Sequence, residues 1–254
     1  MRPLGIKPTR EEDARLHDKG VTPESELATP DAGKAMIDLN TWDLTIPEGK
    51  PATTITTGQL QKGYQSKYFK KDGSQVVFWA PVTGTTTKGS SYPRSELREA
   101  YSTGVKRNWK YTAASNNRLS ARLAVEKVPS EGRIIIGQIH AKDLSAPYLK
   151  VIYNQIRGVG YVTVEARKKP KDAKSPVIMS YTGMPLGQTF TYDVQLSKKG
   201  LLKVAINGQT YQEQINSNWN KYYLYFKAGS YVTDNKGPST EGGRVRFLDL
   251  RASH

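Results

Sequence analysis

From Lys34 onward, apolar and polar residues alternate with period two, in short runs separated by clusters of Gly, Pro, Asn, Asp and Ser. Side chains of a strand point alternately to its two faces, so such runs predict half-buried β-strands. The first passes through Trp42, Leu44 and Ile46 and closes at Pro47-Glu48-Gly49. Others cover 75–80, 92–100, 118–127, 133–141, 148–156, 159–167, 189–197, 201–207, 209–216, 222–231 and 243–251. Asn207-Gly208 between two runs is a type I′ hairpin signal, and Lys198-Lys199-Gly200 suits another tight turn. More than ten short strands with almost no helical periodicity predict an all-β fold, a two-sheet sandwich or jelly roll. The absence of a repeat of about 20–50 residues argues against a propeller or solenoid.

The first 34 residues read differently. They are polar and broken by Pro3, Pro8, Pro23 and Pro30, and Thr9 to Glu12 has capping-box spacing before a short possible helix. Two segments are therefore expected: an N-terminal extension over 1–34, partly helical or flexible, and one β-domain over 35–254. His17 falls in the extension and reads as a surface histidine.

Three strands concentrate polar groups on one face. In 222–231, Tyr223, Tyr225, Lys227, Gly229 and Tyr231 share a face, opposite an apolar set of Tyr222, Leu224, Phe226 and Ala228. In 92–100, Arg94, Glu96 and Arg98 share a face, successive members about 6.5–7 Å apart. Glu96 between two guanidiniums would be ionised and would hold both, leaving donors for a ligand carboxylate. In 133–141, Gln138 and His140 are expected on one face with Ile134 and Ile136. Each strand also has a plainer reading: wetted tyrosine tips, a surface ion-pair ladder worth little, or a satisfied core histidine. Pooled in one cleft, the set favours a substrate bearing carboxylates and a reaction in which negative charge builds on one of them.

Charge adds to this picture. With 38 Lys+Arg against 23 Asp+Glu the net charge is +15, which favours a polyanionic partner: nucleic acid, an acidic membrane surface or an acidic polysaccharide. The absence of cysteine excludes disulfides, a thiolate nucleophile and Cys-based zinc sites. His17, His140 and His254 have no metal-ligand spacing, and no phosphate-cradling glycine loop is present, so neither metal nor cofactor is expected. Apolar runs such as Ile134-Ile135-Ile136 are far too short to span a bilayer. Residues 1–20 lack an apolar signal core, so export would require a signal not in this chain. The basic stretch Arg167 to Lys174 reads as a solvated loop.

Arg94-Ser95-Glu96-Leu97-Arg98, Gln138-Ile139-His140 and Tyr225-Phe226-Lys227-Ala228-Gly229-Ser230-Tyr231 together resemble the signature blocks of the family 7 polysaccharide lyases, the alginate lyases. They stand in the family's order at comparable separations, and Ile37 to Pro47 is similar to the family's first strand. The likeness covers about residue 35 to the C-terminus. It implies a jelly-roll β-sandwich of two antiparallel sheets with a concave substrate groove, and β-elimination at 4-O-linked uronates of alginate. By the same resemblance Arg94, Gln138, His140 and Tyr231 are catalytic. Glu96, Arg98, Tyr225 and Lys227 serve substrate binding, Glu96 as the orienting group. Ile139 resembles members accepting guluronate or mixed blocks. The last block departs from the family in continuing Val232-Thr233-Asp234-Asn235, so contacts beyond Tyr231 are not carried over. A secreted or periplasmic monomer, bound to neither nucleic acid nor membrane, is implied.

Other classes fit less well. A glycoside hydrolase needs two facing carboxylic acids, and the acids here are scattered. A nucleic-acid binder would use Lys, Arg and Tyr, yet no recognition motif is present. A non-catalytic binding module for an anionic polysaccharide needs the cationic groove without both His140 and Tyr231 beside one sugar.

Overall fold

The computed structural model describes residues 37–254, and the expected N-terminal extension with His17 lies outside the described residues. In chain order the strands are β1 (Trp42–Gly49), β2 (Ala52–Ile55), β3 (Phe69–Asp72), β4 (Gln75–Pro81), β5 (Arg94–Glu99), β6 (Asn116–Lys127), β7 (Arg133–Ala141) and β8 (Leu149–Ile156). They continue with β9 (Val159–Ala166), β10 (Val177–Thr182), β11 (Thr189–Ser197), β12 (Leu201–Ile206), β13 (Gln209–Gln214), β14 (Leu224–Val232) and β15 (Gly242–Ser253). One short helix, α1 (Thr57–Gln61), follows β2 and is closed by the capping box of Thr56 and Gln59.

The strands form two antiparallel sheets. One has the order β10-β9-β8-β7-β14-β5-β1-β2, the other β13-β12-β11-β6-β15-β4-β3. This is the jelly-roll sandwich that the alternating pattern predicts. Between the sheets lie Leu44, Phe78, Leu123, Ile134, Phe190, Tyr192, Phe226 and Phe247, all essentially without exposed surface. Edge-to-face contacts join Phe78 to Phe69 at 5.2 Å and to Phe247 at 5.3 Å between ring centroids. Polar links also cross the core: Tyr192 Oη donates to the Ile136 carbonyl at 3.1 Å, and Ser230 Oγ to the Gly243 carbonyl at 2.9 Å.

Two turns match their residues. Asn207 and Gly208 both have positive φ, 46° and 80°, as a type I′ turn requires. Gly200, at φ 80°, turns β11 into β12. The strand expected over 222–231 begins at Leu224; Tyr223 precedes it, exposed, and belongs to neither face.

A pair of bulges changes one expectation on β7. Ala228 faces Gly137 across β14 and β7, but Tyr231 faces Ile135, so β14 carries an extra residue there. Against β8 the extra residue is in β7 itself, between Ile135 and Gly137. Strict alternation therefore fails: Ile134 and Ile136 belong to the core, and Ile135, paired with Tyr231 and Ile152, shares the outward face. Gly137 marks the place, because a Cβ there would stand 2.8 Å from Tyr192 Oη. Among the described residues no helix is long and apolar enough to cross a membrane.

Candidate active site

β7, β14 and β5 are neighbours in the middle of the eight-stranded sheet. Their register sets Tyr231 opposite Arg94, Lys227 opposite both Arg98 and Gln138, and Tyr225 opposite His140. Directly paired residues of antiparallel strands point to the same face. The eight side chains singled out in the sequence thus share one face of one sheet. Glu96 pairs with Gly229, where a Cβ would stand 2.5 Å from the Ser95 carbonyl and 2.8 Å from Glu96 Cα, so glycine lets β14 lie close against β5.

Glu96 is the hub. It is fully buried, and its carboxylate accepts from Lys227 Nζ at 2.5 Å, Gln138 Nε2 at 2.6 Å and Arg94 Nη1 at 3.1 Å. Burial pushes this carboxyl up, but Lys227 and Arg94, with the hydrogen bonds from Lys227 and Gln138, hold it below the ordinary carboxylate value. Burial in turn draws the Lys227 ammonium down to about 8; Glu96 opposes that shift, and Arg94 and Arg98 reinforce it. With no exposed surface, Glu96 holds three donors in place.

Two arginines of β5 lie on two tyrosines of β14. Arg94 Cζ is 3.7 Å from the Tyr231 ring centroid, and Arg98 Cζ is 3.8 Å from that of Tyr225. The guanidiniums differ in what they leave available. Arg98 spends its hydrogen bonds on the carbonyls of Glu99 and Arg107 and on Asn108 Oδ1. These bonds tie it to the loop that follows β5 while it lies against Tyr225. Arg94 keeps a buried Nε with no hydrogen-bond partner among the described residues.

His140 stacks on Tyr225 with ring centroids 5.3 Å apart and 20° between planes. Its Nδ1 stands 2.9 Å from the Ala141 carbonyl and 3.2 Å from Tyr225 Oη. A carbonyl only accepts, so Nδ1 carries the hydrogen and Nε2 keeps a free lone pair. Burial, then the nearby Lys227 charge, pull the imidazole down from 6.5 to about 4. Burial pushes the Tyr225 phenol up, which keeps its proton in place.

The sequence missed Ser90, whose hydroxyl reaches Tyr231 Oη at 3.0 Å, and Asn108, which fixes Arg98. Both sit in irregular connections, where no periodicity points to them. Arg167, read as part of a solvated loop, is buried: Nε donates to the Pro147 carbonyl at 3.2 Å, and Nη1 reaches the carbonyls of Asp172 and Lys174. It staples the basic segment that it begins.

A jelly roll with clustered cations, an imidazole and phenols on one sheet face suits an anionic polysaccharide. The family model described as Alginate lyase matches residues 37–254, and the chain belongs to that family. It is 46% identical to an alginate lyase of Pseudomonas aeruginosa of known structure, covering 86% of this chain and 100% of that one with a TM-score of 0.81. The family 7 alginate lyase A1-II′ is 30% identical, with 86% and 96% covered and a TM-score of 0.76. An alginate lyase of Klebsiella pneumoniae is 29% identical over 289 residues, 91% of this chain and 93% of that protein. A1-II′ has been solved with substrate (GGMG), as a variant with one histidine and one tyrosine replaced, and with product (GGG) as a tyrosine variant.

Proposed function

We propose that this protein depolymerises alginate by β-elimination at 4-O-linked uronates, leaving a 4,5-unsaturated sugar at the new non-reducing end. The observation that carries this reading is the register of β5, β14 and β7, which brings Arg94, Gln138, His140 and Tyr231 onto one face beside the donors that Glu96 holds. Arg94 and Gln138 bind the uronate carboxylate, with Lys227 adding positive charge. Neutralising it makes the C5 proton acidic and stabilises the enolate-like intermediate; preorganised donors of this kind contribute about 10²–10³ apiece. His140 Nε2 takes the C5 proton, the C–H electron pair becomes the C4–C5 double bond, and the C4–O4 bond breaks. Tyr231 gives its phenolic proton to the departing O4. A polymer substrate sets this activity outside the cytoplasm, secreted or periplasmic.

His140 and Tyr231 flank the carboxylate-binding donors from opposite ends, His140 at the Tyr225 end and Tyr231 at the Arg94 end. Guluronate needs the proton removed and the proton donated on opposite sides of the ring. That arrangement supports acceptance of guluronate or mixed blocks. The A1-II′ complex with substrate was obtained with a histidine and a tyrosine replaced, the two residue types given the proton transfers here.

The test is absorbance at about 235 nm, from the new conjugated double bond, with pure mannuronate and pure guluronate blocks. A rise with guluronate or mixed polymer is expected. Tight binding with no rise would make the protein a polysaccharide-binding module. A rise only on mannuronate would overturn the preference.

The acid side of the pH profile gives a second test. His140 is lowered from 6.5 to about 4, so the folded protein keeps it neutral where the unfolded chain already binds a proton. Its contribution to stability is therefore full above pH 6.5 and lost as pH falls toward about 4. As a base it stays competent over the same range. The acid limb of kcat/KM on guluronate is expected near about 4; a limb at 6.5 would show an imidazole far more solvated than this one.

A further inference from the structure

The loop over 82–93, between β4 and β5, is pinned at both ends. Thr85 donates its N–H and hydroxyl to the Pro47 carbonyl at 3.0 and 3.1 Å, and Ala52 N–H donates to the Thr86 carbonyl at 3.0 Å. Gly84 is wedged beneath: a Cβ there would lie 2.6 Å from Pro47 Cβ and 2.9 Å from Pro93 Cβ. At the far end, Asn235 Nδ2 donates to the Ser91 carbonyl at 3.1 Å. So Asn235, beyond Tyr231 and outside the signature blocks, fastens this loop to the chain that leaves β14. The result is to hold Ser90 against Tyr231.

The Ser90 hydroxyl has four neighbours. It accepts from Arg94 Nη2 at 3.2 Å and from the Tyr92 N–H at 3.3 Å. Its remaining contacts are the Tyr92 carbonyl at 3.2 Å and Tyr231 Oη at 3.0 Å. A hydroxyl has one hydrogen to give and two lone pairs. Both lone pairs are taken by groups that can only donate, so towards Tyr231 Ser90 can only donate. Its single hydrogen has two acceptors to choose between, the Tyr92 carbonyl and Tyr231 Oη.

We propose that Ser90 is a catalytic residue, a hydroxyl rotor that donates to Tyr231 Oη as the phenol loses its proton and returns to the Tyr92 carbonyl when the phenol is reprotonated. The inference rests on the elimination reading and assigns it a residue absent from the signature blocks. The proton that reaches O4 comes from Tyr231 alone. Ser90 keeps its own hydrogen throughout and turns it towards the forming phenolate, which already lies under the Arg94 guanidinium. A donor aimed at charge that develops only in the transition state raises kcat and leaves ground-state binding alone.

The experiment compares Ser90→Ala, Ser90→Thr and Tyr231→Phe on alginate. For Ser90→Ala, kcat falls roughly 10–100-fold, less than the 10²–10³ of a buried oxyanion donor because Ser90 is partly exposed, while KM changes by less than about twofold. Ser90→Thr keeps the hydroxyl and restores most of kcat. The tyrosinate ultraviolet band of Tyr231, isolated by subtracting the Tyr231→Phe spectrum, moves to higher pH in Ser90→Ala and returns in Ser90→Thr. Full kcat in Ser90→Ala, equal loss in the Ala and Thr variants, or an unmoved tyrosinate band overturns the rotor. If instead Tyr231→Phe itself retains activity, the elimination reading falls, a result distinct from any of these.

Discussion

Tyr231→Phe is expected to lose about 10³-fold in turnover while its affinity for the polymer stays nearly unchanged, within the 10²–10⁴ that general acid–base groups contribute. The substitution removes one oxygen and one proton. The ring that remains still stacks under Arg94, whose Cζ lies 3.7 Å from its centroid, and still faces Ile135 across the sheet. Arg94, Gln138 and Lys227 keep their bonds to Glu96, so carboxylate recognition is intact. What is lost is the proton for O4. Without it an alkoxide must leave, and its poor leaving ability falls on kcat and spares binding. Initial rates from the double-bond absorbance, beside calorimetric titration with alginate, separate the two effects. Retention of most activity on every block type would remove Tyr231 from the proton-donor role.

The distribution of what was readable in the chain follows from where water reaches it. Central strands alternate because one face meets the core, and β5, β7 and β14 announce their faces through Arg94, Gln138 and Lys227. Three strands went unread: β2, β3 and β10, and all three are sheet edges. Ala52–Ile55 buries only Ile55, and Phe69–Asp72 only Phe69, so too few positions are buried for a period to show. β13 is equally exposed and equally an edge, yet Asn207-Gly208 betrays it through turn chemistry. Alternation misleads at Ile136 because a bulge is a tertiary event, fitted to Tyr192 on the opposite sheet. Ser90 and Asn108 lay beyond reach for a related reason: both act from loops, and a loop residue's partner is chosen by the fold and not by spacing.

Glu96→Gln should cost both stability and activity, by a route different from that of Tyr231→Phe. The side chain stays nearly isosteric, but the negative charge between two buried cations disappears, and one carboxylate oxygen becomes an amide facing groups that can only donate. Breaking a buried charge network by removing one partner costs about 3–5 kcal/mol, because the remaining charge is left uncompensated. For a chain of this size that is a fall of roughly 6–20 °C in Tm. Lys227 already sits at about 8 with Glu96 opposing its loss of charge. Without Glu96 that opposing pull is gone and the ammonium is left buried without its counter-charge, so the groove loses order. The pH signature is specific. Glu96 titrates below its ordinary value, so its share of stability is present above the unfolded pKa of 4.5 and is lost as pH falls through the lower folded value. Thermal unfolding of Glu96→Gln across that range should lack this component. Adding Lys227→Met to Glu96→Gln removes one stranded cation, so the double variant should regain part of the Tm and none of the turnover. Equal Tm for the single variant and the parent would mean that Glu96 does not bind the three donors together, and that their order comes from backbone register alone.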